Sequence, residues 1–394
     1  MGSRRERTGR PGWLRIAIAC GLTLIVLLVA GTFGISWWVA GQQIVPQHGE
    51  HIETVLAVKA VSSVENVVIT ANTEPARRHG TYWLSWGGGS ARMGDIVAQS
   101  PGSVERPLLD GALPTIGSAV SVVGTMPSDP KTTLGLDYSE AMVPTELGPA
   151  PAWFVPATGP ADSTWVIAVH GQNGRRKAMM AIAPTLHRLG LPILAITYRN
   201  DEGAPASPDG LLHLGGTEWR DVESAVHYAL DKGARRVVLY GASNGGQIAG
   251  QFLVHSPLAG TVTSMLLDAP TSSMPRVGEY VGGQYGAPRV LAKQVDQIID
   301  WRTGDDLEQL DLLNHPPAVK PPTLLVQGDA DTQAAAQMNR DFAAAGTRVG
   351  WPIQYEEFPG AEHTESWNSN PPRYEKLVTD YVTRTVLAAA VTTR

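Results

Sequence analysis

The chain has 394 residues, 43% of them apolar and 17% charged, with 42 glycines, 29 prolines and a single cysteine, Cys20. That length exceeds one ordinary domain, and one thiol excludes an intrachain disulfide or a cysteine-based metal site. Five of the 31 basic and one of the 37 acidic residues lie in the first fifteen positions, so the remainder carries a net charge of −10, which argues against a nucleic-acid partner.

Residues 1–15 read as a basic tail, through Arg4, Arg5, Arg7, Arg10 and Arg15. None of the 25 residues from Ile16 to Ala40 is charged. As a helix they would run about 37 Å, enough to cross a bilayer of about 30 Å with some tilt. Trp37 and Trp38 stand at the far end, where indoles favour the interface, and the arginines should stay in the cytoplasm. Residues 16–40 therefore read as a single-pass anchor in the cell membrane, with the body outside the cytoplasm. A cleaved signal peptide, leaving a secreted protein, is the competing reading. Signal peptides usually have a shorter apolar core and end in small residues, where this chain has indoles. One apolar span excludes a multi-span channel or transporter.

Residues 41–161 read as a β-rich accessory region. Thr54–Val58, Glu65–Thr70, Gly80–Trp86 and Ala119–Val123 have strand character and are separated by proline- and glycine-rich turns. Gly87-Gly88-Gly89-Ser90 is followed by no Lys-Ser or Lys-Thr, so it reads as a hairpin turn rather than a phosphate loop.

From residue 162 to 394 the rhythm changes to strand and helix in alternation. Trp165–Val169 and Pro192–Tyr198 are continuous apolar runs, as expected of strands buried on both faces. A helix is expected over 175–189, and Trp219, Val222, Ala225, Val226 and Ala229 recur at helical spacing. Further strands follow at Val262–Leu267, Thr323–Val326 and Pro352–Phe358, and Tyr374–Ala390 reads as a closing helix. This alternation predicts an α/β fold with a mainly parallel sheet covered by helices. Residues 270–320 interrupt it and read as a cap insertion over the carboxyl ends of the strands.

The chemistry centres on Val237-Val238-Leu239-Tyr240-Gly241-Ala242-Ser243-Asn244-Gly245, an apolar strand running into Gly-x-Ser-x-Gly before a small-residue helix. A sharp turn there would lift the Ser243 hydroxyl clear of the sheet, and Gly241 and Gly245 leave room for it. A serine needs a base to take its proton and a third group to orient that base. His363 follows the last strand, and Asp331 follows the strand before it. Asp331 is the preferred acid and Asp329 the alternative, with turn capping as the other role for the latter. His170-Gly171-Gln172 ends the first core strand. Gly171 makes the turn, and the backbone N–H groups of Gln172 and Asn244 are candidate oxyanion donors. His170 itself reads as structural.

From Thr164 onward the chain resembles the α/β-hydrolase superfamily of serine hydrolases. The resemblance rests on His170-Gly171, Gly241-Ala242-Ser243-Asn244-Gly245, Gly328-x-x-Asp331 and Gly360-Ala361-Glu362-His363. Through Tyr198-Arg199-Asn200-Asp201 and Glu218-Trp219-Arg220-Asp221-Val222 it is similar to a membrane-anchored actinobacterial branch. Relatives there often carry methionine after the nucleophile, where this chain has Asn244. The resemblance implies a Ser243-His363-Asp331 triad that cleaves an ester or related acyl bond, with no metal and no organic cofactor. The expected partners are a small-molecule or peptide acyl substrate and the membrane. A serine peptidase or amidase is the alternative. A non-catalytic, membrane-tethered binding protein is a third reading, which the intact set of residues disfavours.

Overall fold

The computed structural model describes residues 12–47, 52–61, 64–159 and 161–388. Most of the basic tail lies outside them. The first element among the described residues is helix α1 (Gly12–Ile44), which is long and apolar enough over Ile16–Ile44 to cross a membrane. From Ile16 to Ile35 the helix is exposed apart from half-buried Thr32. Those residues cover about 30 Å at 1.5 Å per residue, the thickness of a bilayer's hydrocarbon core. Ser36, Ala40 and Ile44, four apart on one helical face, are buried against the body. The apolar segment expected to end at Ala40 thus divides in two, a free stretch and a docked end.

Seven strands form the β-rich region: β1 (Glu53–Val61), β2 (Val64–Thr70), β3 (Tyr82–Trp86), β4 (Gly89–Met93), β5 (Ala98–Ser100), β6 (Ser103–Gly111) and β7 (Ala119–Val123). They pair antiparallel in the order β2-β1-β7-β3-β4-β6-β5, with β2 also meeting β6. Val67, Ile69, Leu84, Met93 and Val122 fill their shared core. The glycines at 87 and 88 form the turn of the β3–β4 hairpin, as their sequence implied.

The second sheet has eight strands: β8 (Ser139–Thr145), β9 (Gly148–Val155), β10 (Thr164–Val169), β11 (Ile193–Ile196), β12 (Arg236–Ala242), β13 (Val262–Asp268), β14 (Thr323–Gly328) and β15 (Ile353–Phe358). Their order is β15-β14-β13-β12-β10-β11-β9-β8. The six strands from β10 to β15 run parallel to one another, while β9 pairs antiparallel with β11 and β8 antiparallel with β9. Residues 139–155, grouped by sequence with the β-rich region, thus belong to the large sheet. An antiparallel edge hairpin alternates like the strands before it and has no crossover helix to mark the change.

Helices α2 (Ala183–Arg188) and α8 (Pro371–Val382) cover one face of this sheet, and α3 (Trp219–Asp231), α4 (Asn244–His255) and α7 (Ala336–Arg348) the other. Along β10 the faces alternate: Trp165, Ile167 and Val169 point to one core, Val166 and Ala168 to the second. The helix expected over 175–189 is instead a 3₁₀ turn, Arg176–Met179, followed by α2, whose first turn holds Pro184. Proline fits only there, because its ring blocks a continuous helix through that point. Between β13 and β14 stand α5 (Met274–Gln284) and α6 (Arg289–Thr303), which pack on each other and on the docked end of α1.

Candidate active site

Ser243 sits at the sharp turn between β12 and α4 with φ 52° and ψ −126°, a conformation side chains rarely adopt. The turn is braced by the Ser243 N–H donating to the Asp268 carbonyl at 2.9 Å and the Thr271 N–H donating to the Ser243 carbonyl at 3.2 Å. A Cβ on Gly241 would lie 2.6 Å from the Gly245 carbonyl oxygen, and one on Gly245 would run into the Val169 and His170 carbonyls. Both positions therefore require glycine. Gly171 abuts the serine, since a Cβ there would fall 2.9 Å from the Ser243 Cβ.

Three parts of the chain far apart in sequence meet here. His363, in the loop after β15, has Nε2 2.7 Å from the Ser243 hydroxyl and Nδ1 2.8 Å from an Asp331 carboxylate oxygen. Asp331, in the turn after β14, is 2% exposed. It also accepts hydrogen bonds from the Gln327 amide and from the backbone N–H groups of Gln333 and Ala334. Asp329 accepts the Gly360 N–H at 2.6 Å, the turn-capping role given above as its alternative, and it is Asp331 that bonds the histidine. Gln172 lines the same cleft as Ser243, and Asn244 opens α4 immediately after it.

Several contributors went unread in the sequence. Gln327 passes a buried relay on to Asn339, whose amide donates to it at 2.6 Å, and Ser272 donates to Asn339 at 3.0 Å. This chain fixes the Asp331 carboxylate from behind. A lone glutamine ending the apolar run Thr323–Val326 was the available signal. Asp268 is buried at the carboxyl end of β13, an acid where α/β sheets gather their chemistry, and accepts the Tyr374 hydroxyl at 3.0 Å. Burial, with help from the charge of Asp331, pushes its carboxyl from the ordinary 3.8 up to about 7, against the opposing pull of Tyr374 and His363.

That shift has a measurable consequence. Between 3.8 and about 7 folded Asp268 holds a proton that the unfolded chain has released, so its contribution to stability falls as pH rises through this window. Unfolding of Asp268→Asn compared with wild type is expected to move in the variant's favour from the acidic to the neutral end. A difference independent of pH would contradict it.

His170 is fully buried, stacks on Tyr198, and bonds Asp201 at 2.8 Å and the Gly171 carbonyl at 2.9 Å. Burial opposes its charge, yet Asp201 outweighs this and raises its pKa. It braces the Gly171 turn, in line with the structural role read from sequence. Arg199 and Asp221 form a buried two-contact pair at 2.8 and 3.1 Å, and Glu218 accepts the His213 and Gly215 N–H groups. The Tyr198–Asp201 and Glu218–Val222 motifs thus build scaffold around the site.

The cleft over Ser243 encloses about 550 Å³. Its walls come from all parts of the chain: Gln43 of α1, Arg78 and Thr125 from the β-rich region, Met274 and Val281 of α5. The β-rich region grips the loop beyond His363. Tyr82 and Arg78 bond Glu365 at 2.6 and 2.7 Å, Trp83 stacks on Trp367 at 5.2 Å, and Asn368 reaches the Thr81 and Gly124 carbonyls.

A model of the prolyl oligopeptidase family matches residues 207–387, and one described only as a domain of unknown function matches residues 54–123. Comparison with curated proteins found no match. Among solved structures, an esterase of Pyrococcus furiosus is 19% identical with a TM-score of 0.52, covering 66% of this chain and 94% of its own. A puromycin-hydrolyzing peptidase of Mycobacterium tuberculosis is 16% identical with a TM-score of 0.52, covering 83% of this chain and 47% of its own. The parallel sheet, the turn at Ser243 and the family match over the segment that carries it agree, and the chain has an α/β-hydrolase fold whose residues 207–387 are similar to the prolyl oligopeptidase family.

Proposed function

We propose that this hydrolase cleaves carboxylic esters through an acyl-enzyme, with Ser243 as nucleophile, His363 as general base and acid, and Asp331 orienting the imidazole. The observation that carries the reading is the unbroken relay from the Ser243 hydroxyl through both ring nitrogens of His363 to a carboxylate held by three further hydrogen bonds. The hydroxyl oxygen attacks the ester carbonyl while its proton passes to His363 Nε2. The carbonyl becomes an oxyanion, for which the backbone N–H groups of Gln172 and Asn244 are the assigned donors. As the tetrahedral centre collapses, His363 gives its proton to the departing alkoxide and the acyl group stays on Ser243. Water then attacks, His363 takes its proton, and the acid leaves as the serine is reprotonated. Asp331 stays ionised throughout and favours the imidazolium.

A peptidase reading is favoured by one observation: the match to the M. tuberculosis peptidase extends over 83% of this chain, well beyond the hydrolase sheet. Turnover of matched ester and amide substrates by the full chain in detergent decides between them. The proposal predicts a burst of alcohol release from esters and little cleavage of the corresponding amides; equal or faster amide cleavage would favour the peptidase.

We further assign α1 as a membrane-spanning anchor with its amino terminus in the cytoplasm and the catalytic body outside it. The support is the free apolar stretch of bilayer length and the arginines preceding it. A cleaved leader fits less well, because Ala40 and Ile44 are buried in the body and Gln43 walls the cleft.

A further inference from the structure

A second cavity, of about 590 Å³, lies between the docked end of α1 and the cap helices α5 and α6. Its lining is almost wholly apolar, including Val39, Leu291, Ala292, Val295 and Ile299. At its inner end Gln43, Met274, Val277 and Val281 also line the cleft that holds Ser243, so the two spaces adjoin through shared walls. At its outer end Ile35, Trp38 and Tyr285 line the cavity while remaining 61%, 64% and 87% exposed. Ile35 closes the free, bilayer-length stretch of α1, which puts this mouth at the level where the hydrocarbon core ends.

The surroundings of the mouth suit a membrane surface. Trp301 and Val290 of α6 are exposed, at 71% and 69%. Trp37 packs on Trp301 at 5.5 Å beneath the Arg302 guanidinium. Indoles and a tyrosine ring with cations beside them are the usual furniture of the lipid interface. The Ser36 hydroxyl donates to Gln294 at 3.0 Å, the Gln172 amide donates to the Gln43 carbonyl, and the Gln47 N–H donates to Asn173 at 2.9 Å. The membrane helix is therefore keyed to both the cap and the oxyanion loop. One acid, Asp296, reaches the cavity. Burial first, then the charges of Asp300, Glu308 and Glu279, raise its carboxyl to about 7, so much of it is uncharged at neutral pH.

From this geometry we infer that the substrate is a lipid ester drawn sideways from the bilayer, its acyl chain entering between α1 and the cap helices and lying in the apolar cavity with its carbonyl at Ser243. The inference rests on the ester-hydrolase reading above. It assigns α1 a second task beyond tethering, as one wall of the acyl-chain passage.

The test uses the full chain and a series of p-nitrophenyl esters from acetate through butanoate and octanoate to dodecanoate. Each buried methylene is expected to raise kcat/KM about fourfold until the cavity is full. Val295→Trp and Ala292→Phe, which narrow the cavity from α6, should each lower the ratio of dodecanoate to acetate turnover at least tenfold; a ratio within one variant cancels any loss of folded protein. In phosphatidylcholine vesicles, umbelliferyl oleate placed in the same bilayer as the enzyme should be cleaved at least tenfold faster than oleate supplied in separate, enzyme-free vesicles. A flat chain-length profile with acetate still cleaved, an unchanged ratio in both variants, or equal rates from the two kinds of vesicle would overturn the inference and leave the hydrolase intact. No hydrolysis of any ester would instead overturn the hydrolase reading, and this inference with it.

Discussion

Replacing Ser243 with alanine is expected to lower kcat for ester hydrolysis on the order of 10⁶-fold, and His363→Ala to cost nearly as much. The two act as a unit: without the base the hydroxyl keeps its proton, and without the hydroxyl the base has nothing to activate. The double variant should therefore be scarcely slower than either single one, which a kcat comparison of the three shows directly. Additive losses would mean that the 2.7 Å contact between them is not used in the reaction. Because Ser243 sits in a left-handed conformation, alanine there leaves the strain of the turn in place, and melting temperatures of the variants should stay close to wild type.

Asp331→Asn is expected to lower kcat by about 10⁴-fold with little change in KM, whereas Asp329→Asn should change kcat by less than about tenfold. An amide at 331 keeps the shape but offers the imidazole a donor where it needs an acceptor, which turns the ring to the wrong tautomer. The Gln327 amide and the Gln333 and Ala334 N–H groups would meanwhile lose the charge they are arranged to bind. The Asp329 carboxylate accepts the Gly360 N–H in its turn, so its loss is expected to loosen a loop and leave the relay intact. Equal losses for the two substitutions would contradict the assignment of the acid.

Much of this was legible in the sequence because parallel strands buried on both faces write themselves as apolar runs. Trp165–Val169, Val262–Leu267 and Thr323–Val326 all fall in strands, and the residues just past strand ends are those that meet around Ser243. The glycines flanking Ser243 were legible for a steric reason that the backbone carbonyls of Val169 and Gly245 make explicit. The hairpin of β8 and β9 was not, since alternation reads the same in either sheet. Nor was the docking of α1: a helix apolar on every side shows no preferred face, so nothing marks Ser36, Ala40 and Ile44 as the buried ones. Gln327, Asn339 and Asp268 escaped for another reason. Their roles depend on partners brought together by the sheet, and no local spacing encodes that.

The β-rich region gains a physical role from its contacts. By holding Glu365 between Tyr82 and Arg78, two residues beyond His363, it fixes the loop that presents the imidazole. It also supplies part of the cleft wall, through Arg78 and Thr125. The cleft over Ser243 is thus walled by the large sheet, the β-rich region and helices α1 and α5.

Labelling of the full chain in detergent with a tagged fluorophosphonate measures the activation of the Ser243 hydroxyl directly. The expected result is stoichiometric labelling that maps to the peptide containing Ser243, disappears in Ser243→Ala and falls steeply in His363→Ala and Asp331→Asn. A folded wild-type protein that stays unlabelled, or a label that maps to another serine, would contradict it.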